Sequence, residues 1–412
     1  MSRYVVTGYG VILPHISTTD ELWDILVHES REYFDNQINY ISLDDMPSFY
    51  EKYPFIEKKK LKHSDLQVIF NYMALKECVE KANLLFLLKQ SQNIRNKVGI
   101  VSGSMFAQLN FGLKQIEKLI IKKSTKISPY TGMAFYFGSN VGEISCLLGT
   151  MGENCASLSG TSLVLDGIDI AESMIDYNRN EIVLVGGSEN IKYELVAPSL
   201  YHNGKINYSS GHPYLCSEKD GISLTNGSSI LSVENFDFAK SRKVKILGEL
   251  SEIIDLNCWK CTFEITEDII DVYKHLLNLL LEKNGLKKDD IDLVIPTGEG
   301  TQEFDYYEAK ALNDYFDGKK EFVYTPKSII GNTMGACCGI DIIVALMCIQ
   351  HDTVPAIPYS PKLLNNEFSN IFVTKTNAGK NIRNILVVHK NWLDGKISGV
   401  VVSKFRGEDE IN

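Results

Sequence analysis

Thr161 ends the segment Cys155-Ala-Ser-Leu-Ser-Gly-Thr161, directly ahead of an apolar run over residues 163–175 with helical spacing. A strand-to-helix elbow of this kind holds a nucleophile at the turn, where the first amides of the helix can stabilise negative charge. The residue at the turn is Thr161, and Cys155 lies well upstream of it. A threonine hydroxyl is a weak nucleophile unless a base activates it. Of the 8 histidines, His389 comes nearest to a suitable place, directly after the apolar run 385–388, but a packed histidine is the plainer reading. Cys258-Trp-Lys-Cys261 has the spacing of half a zinc site, yet no second such pair and no His pair at ligand spacing accompanies it, so two ordinary thiols and no metal are expected. Cys337 and Cys338 fall in an apolar helical run and read as core thiols. No glycine loop with Lys-Ser/Thr follows a strand and no G-x-G-x-x-G opens a helix, so nucleotide binding has no support.

The elements that must position these groups alternate. Residues 4–10, 98–101 and 182–185 read as buried strands closed by glycine or serine, with helices over 18–27, from 64 onward, and over 163–175. The pattern recurs with strands at 230–233, 244–247, 292–296, 385–388 and 399–402, and helices over 267–281, 306–313 and 335–350. All-apolar strands between helices are covered on both faces. The second half thus repeats the first coarsely, which predicts an α/β protein of two similar halves, residues 1–245 and 246–412.

Composition narrows the function classes. The 412 residues are 44% apolar and 23% charged, with 52 Asp+Glu against 42 Lys+Arg and a net charge of −10. That balance argues against a nucleic-acid partner, whose phosphates need neutralising. The longest apolar run, about residues 340–349, contains Asp341 and falls short of the ~18–20 residues of a membrane span, so no membrane is expected. The start lacks the apolar core of an export signal, and nine cysteines without regular spacing suit reduced thiols, so the expected location is the cytoplasm. The one tight basic run, residues 58–62, reads as a solvated helix end or loop.

Several motifs, in order over residues 3–405, together resemble the β-ketoacyl synthases, and within them the chain-length factors of type II polyketide synthases. The opening Val-Val-Thr-Gly-Tyr-Gly is similar to the family's first strand. The aromatic-rich segment from Ser128 to Ser145, ending in Asn-Val-Gly-Glu-Ile-Ser, is similar to the chain-length-factor segment. Leu165-Asp166, the strand ending Gly186-Gly187-Ser, Lys219-Asp-Gly221, Gly298-Glu-Gly-Thr301 with Asp305 and Glu308, and Pro326-Lys-Ser-Ile-Ile-Gly331-Asn332 follow in family order. The departures matter most. Where an active ketosynthase carries its Cys and two His, this chain has Thr161, Thr297 and Asn332, and only Lys327 is retained. The glycine-rich gate near the C-terminus survives only as Leu393-Asp-Gly-Lys396. Chain-length factors usually carry Gln at the first position, so Thr161 departs from that pattern too.

The resemblance implies a thiolase fold, two α/β halves in a five-layer α-β-α-β-α body, and no condensation by this chain alone. It implies a heterodimer with a catalytic ketosynthase, and an acyl carrier protein whose phosphopantetheine arm acts on that partner, so that this chain binds no cofactor. It also implies a tunnel at the interface whose depth limits product length, lined by Leu109, Gly112 and Ile116 of a helix over 107–121 and by Met133. Gly112 would leave room for a long chain, since glycine inside a helix costs about 1 kcal/mol relative to alanine and space must justify it. The acidic carrier protein would dock mainly on the partner, given this chain's own negative charge. Three other readings stand beside this one: a competent synthase using Cys155 or Thr161, a binding or scaffold protein of thiolase shape without a tunnel, and a chain-length factor of the aryl-polyene type.

Overall fold

The computed structural model describes residues 3–28, 49–191, 221–261, 265–358, 367–391 and 394–406. Its strands are β1 (Tyr4–Ile12), β2 (Val98–Gly103), β3 (Asn154–Ala156), β4 (Ile182–Glu189), β5 (Gly227–Asn235), β6 (Gly248–Leu250), β7 (Ile254–Asn257), β8 (Leu293–Ile295), β9 (Thr353–Val354), β10 (Asn377–Ala378), β11 (Asn384–Lys390) and β12 (Lys396–Ser403). The longer helices are α1 (Thr19–Val27), α2 (Leu66–Lys81), α3 (Leu109–Ile120), α4 (Ser139–Leu148), α5 (Leu163–Asp176), α6 (Asp268–Lys283), α7 (Gln302–Tyr315) and α8 (Cys337–His351).

One sheet runs β3-β2-β4-β5-β1-β6-β12-β11-β8, with β7 also paired to β12. β2 is parallel to β3 and β4, and β8 is parallel to β11; β5 and β12 each run antiparallel to their neighbours. The order on one side of the β1–β6 joint is mirrored on the other, with isolated bridges at Val323 beyond β8 standing where β3 stands beyond β2. The two expected sheets are therefore joined into one hydrogen-bonded path, at Tyr4 opposite Leu250. We propose the division at residues 245 and 246 on this basis, just ahead of that joint.

Alternation along the strands builds the layers. Ile100, Ile182 and Leu184 face one apolar cluster with α2, whereas Val101, Val183 and Val185 face the cluster that holds α5 and α8. α6 and α7 lie on the far side of the C-terminal strands, giving five layers with α5 and α8 in the middle, a thiolase-like fold. Close approach fixes the first contact: a Cβ on Gly10 would stand 2.1 Å from the Ala74 carbonyl oxygen. β1 therefore admits α2 only because glycine occupies that face.

Two sequence expectations need correction. Residues 244–247 are not a strand: Val244 packs beside Val5 and Phe236, Leu247 makes one bond to Val6, and the ladder begins at Gly248. The helical stretch Met334–His351 is long and apolar enough to cross a membrane, with 18 residues, against the expectation that no run was. However, 89% of it is buried inside the body, as befits the central helix of a five-layer fold.

Glu172 of α5 sits in this interior, and among the described residues its Oε1 has no hydrogen-bond partner. Burial, and then the nearby Asp169 charge, push its carboxyl up to about 9 against the pull of the Ile253 amide. The folded state thus holds a proton that the unfolded chain releases near the ordinary carboxylate value. This contribution favours folding below that ordinary value, and it is lost as pH rises towards 9, at roughly 1.4 kcal/mol per pH unit where steepest. Glu172→Gln keeps the shape and removes the titration. Its melting temperature should exceed the parent's at pH 8 and match it near pH 5; an equal difference at both pH values would contradict the assignment.

Candidate functional site

The elbow forms as a turn of 3-10 helix, Gly160–Ser162, leading into α5, with Gly160 at φ +63°. Thr161 at its centre is buried. Its backbone N–H donates to Asn391 Oδ1 at 3.1 Å, and its hydroxyl donates to the same oxygen at 3.3 Å. An elbow amide is the natural donor to a developing oxyanion, and here that amide is already engaged. Opening the pair would strand buried donors at about 1–3 kcal/mol each.

Asn391 follows β11, and the two residues before it also enter the site. Lys390 donates its backbone N–H to the Thr297 hydroxyl at 2.8 Å and its Nζ to the Asn391 carbonyl at 2.9 Å. His389 is buried, with Nε2 3.8 Å from Cys337 Sγ and, among the described residues, no partner for Nδ1. Burial first, and then the Lys327 and Lys390 charges, hold its pKa well below the usual histidine value. It is a neutral ring at pH 7.

Thr297 and the loop after β8 are shaped by two carboxylates of α7. Glu308 accepts from the Thr297 and Gly298 amides at 2.8 and 3.0 Å, and Asp305 accepts from Gly300 at 3.2 Å. Gly298 and Gly300 take φ of +53° and +96°, which glycine alone adopts freely. Beyond the short helix Lys327–Ile330, Asn332 turns its side chain back to cap its own loop, with Oδ1 accepting from Met334 N–H at 2.8 Å.

Lys327 pairs with Asp341 of α8, both fully buried. Burial raises the Asp341 carboxyl to about 6, against the attraction of Lys327. Burial works against the Lys327 charge, but Asp341 outweighs it and its pKa is raised, so the pair is ionic at neutral pH. Cys337 and Cys338 begin α8 with their thiols toward the Thr161 carbonyl, at 3.7 and 3.3 Å. Burial raises the Cys337 thiol well above its ordinary value, with Lys327 pulling the other way, so it is a thiol at pH 7.

The fold thus gathers Thr161, Thr297 and Lys327 around one buried centre, with Asn332 on the loop leading to α8. Sequence reasoning missed Asn391, and it read His389, Cys337 and Cys338 as packing residues. The available signals were the post-strand position of His389 and a cysteine pair on a Gly-Ala helix. Cys155, the other nucleophile candidate, lies on the edge strand β3 and is half-buried.

The four residues expected to line a tunnel behave differently from one another. Leu109 packs on a small cluster of Ile191, Ile222, Leu224 and Met334, next to the Asn332 loop. Ile116 is half-buried, and Met133 is 43% exposed. The space over Gly112 is not open: a Cβ there would stand 2.6 Å from the Phe135 ring. The basic run lies in helix Lys58–His63, where Lys60 pairs with Glu143 of α4. Lys219, Asp220 and Leu393 lie outside the described residues.

Residues 1–197 match the N-terminal domain of β-ketoacyl synthases, and residues 262–359 match the C-terminal domain. The 3-oxoacyl-[acyl-carrier-protein] synthase 2 of Vibrio cholerae is 22% identical, with 86% of this chain and 87% of that protein covered. A putative polyketide beta-ketoacyl synthase 2 of Streptomyces halstedii is 23% identical, with 87% of each covered. Among solved structures, the ishigamide ketosynthase/chain length factor superposes with a TM-score of 0.81 at 16% identity, covering 98% of this chain and all of that one. A type II polyketide synthase acyl carrier protein in complex with its ketosynthase reaches 0.79 at 18% identity, with 98% of this chain and 100% of that chain covered. With both domains matched and the fold shared end to end, the chain belongs to the β-ketoacyl synthase family.

Proposed function

We propose that this chain is a non-catalytic, chain-length-factor-like subunit of a cytoplasmic polyketide synthase. It pairs with a catalytic ketosynthase of the same fold, and an acyl carrier protein presents its phosphopantetheine arm to that partner. One observation carries the reading: both donors of Thr161 are committed to Asn391 Oδ1, where condensation needs a thiolate nucleophile and a free amide. Thr297 and Asn332 stand where an active ketosynthase carries imidazoles, and neither can take up and release a proton as an imidazole does.

The surface supports pairing. Ile120, Ile121, Tyr136 and Phe137 are exposed by 39–72% on α3 and the segment after it. The edge strand β3 is flanked by Met151 and Leu158, each more than half exposed. Exposed apolar groups beside a strand that is at the sheet edge among the described residues are what a partner of like fold covers. In this reading Leu109, Ile116, Met133 and Phe135 limit the growing chain, and Phe135 over Gly112 is the stop. Closing a few methylene-sized volumes forbids the next elongation.

One contact favours a second reading, a competent synthase with a non-standard nucleophile: the Cys337–His389 approach of 3.8 Å. A reconstitution separates the two. Incubated alone with malonyl-loaded carrier protein, the chain should form no condensation product, whereas the chain co-purified with a ketosynthase should. Product from the chain alone, abolished by Cys337→Ser, would establish the second reading. Within the active pair, Phe135→Ala should lengthen the product by at least one malonyl-derived unit and Leu109→Phe should shorten it. An unchanged product spectrum from both stable pairs would remove these residues from chain-length control.

A further inference from the structure

Cys258 and Cys261 bracket a turn of 3-10 helix, Trp259–Cys261, closed by the Cys261 N–H donating to the Cys258 carbonyl at 2.8 Å. Both are buried free thiols, while Trp259 between them is 76% exposed. Their Sγ atoms stand 3.0 Å apart, so about 1 Å of movement brings them to the ~2.05 Å of a disulfide. Among the described residues no group of three or more His, Cys, Asp or Glu could hold a metal ion.

The turn is fastened to the hairpin that enters the candidate site. Cys258 N–H donates to the Gly395 carbonyl at 2.8 Å, and a Cβ on Gly395 would stand 1.9 Å from the Cys258 carbonyl oxygen. Lys396, the next residue, pairs with Asp166 of α5 and Asp255 of β7 at 2.7 Å each. Asn391, across the turn of the same hairpin, donates its N–H to the Lys396 carbonyl at 2.8 Å and holds both donors of Thr161. A shift of the Cys258 backbone therefore has a route to the elbow through Gly395, Lys396 and Asn391.

We propose that Cys258 and Cys261 are a reversible dithiol–disulfide site whose closure displaces the β11–β12 hairpin and loosens its hold on Thr161. The oxidant is another disulfide, of the glutathione or dithiol-protein class. One cysteine thiolate attacks a sulfur of that disulfide and expels one thiolate, leaving a mixed disulfide. The second cysteine thiolate attacks the protein sulfur of the mixed disulfide and expels the other thiolate. The protein loses two electrons and two protons, and the oxidant leaves as two thiols. Burial, and then the Cys261 contact, push the Cys258 thiol up to about 11. Closure should therefore quicken with pH across the range below that value, since the thiolate attacks.

The full-length protein equilibrated in mixtures of reduced and oxidised glutathione, acid-quenched, alkylated and mapped by peptide mass, tests this. The expected result is one peptide lacking two hydrogens and both alkyl groups, restored by dithiothreitol, with Cys258→Ser and Cys261→Ser each trapping a glutathione adduct on the remaining cysteine. Hydrogen exchange at the Thr161 amide should rise several-fold in the oxidised form. Alkylation of both cysteines at every ratio, while exposed Cys146 in the same sample is modified by glutathione, would overturn the site. A linked pair that leaves Thr161 exchange unchanged would overturn its connection to the elbow.

Discussion

A single amide oxygen, Asn391 Oδ1, accepts both donors of the Thr161 elbow across a sequence separation of 230 residues. The elbow belongs to the N-terminal part of the sheet and Asn391 to the hairpin at its C-terminal part, so this contact fastens the two parts at their shared centre. Everything around it is arranged to make the contact close. α8 begins with its cysteines on the Thr161 carbonyl, and a Cβ on Gly187 would meet the Gly335 carbonyl oxygen at 2.4 Å. Lys390 spans from Asn391 to Thr297 and thereby ties in the loop after β8.

The same constraint underlies the proposal that this site is non-catalytic. The ionic Lys327–Asp341 pair, the carboxylates under the β8 loop and the helix N-terminus are all in place, and such groups make an acyl-transfer site when a thiolate and imidazoles join them. Here the nucleophile position holds a hydroxyl bonded to an amide oxygen, His389 is a neutral ring turned to a thiol, and Asn332 caps its own loop. Polar groups that satisfy one another inside a protein have little left to offer a substrate. The buried Glu172 carboxyl in the middle layer, held protonated, acts on stability instead of chemistry.

Much of the architecture was legible in residue order. Buried strands at 98–101 and 182–185, the helix over 163–175 and the placement of Thr161 at its turn follow from apolar periodicity and glycine punctuation, which act over a few residues. What escaped was set by partners far away in sequence. Asn391 is an unremarked residue until the hairpin carries it to the elbow, and Cys337 and Cys338 read as packing because their nearest polar atom belongs to Thr161. Gly112 was recognised as a position decided by space, but the occupant of that space, Phe135, lies in the next segment. Residues 244–247 carried a strand's composition without a strand's partner. The helix Met334–His351 escaped a run-length rule because glycines and Asp341 interrupt a stretch that is apolar on average.

The claim that the site holds no nucleophile is tested most directly by acyl trapping. The purified chain is incubated with excess carrier protein bearing a short acyl thioester, and the intact mass of the chain is then measured. The account predicts an unmodified chain, with the acyl group retained on the carrier or transferred only when a catalytic ketosynthase is added. A chain heavier by one acyl group, mapped to Thr161 or to Cys337, would contradict it.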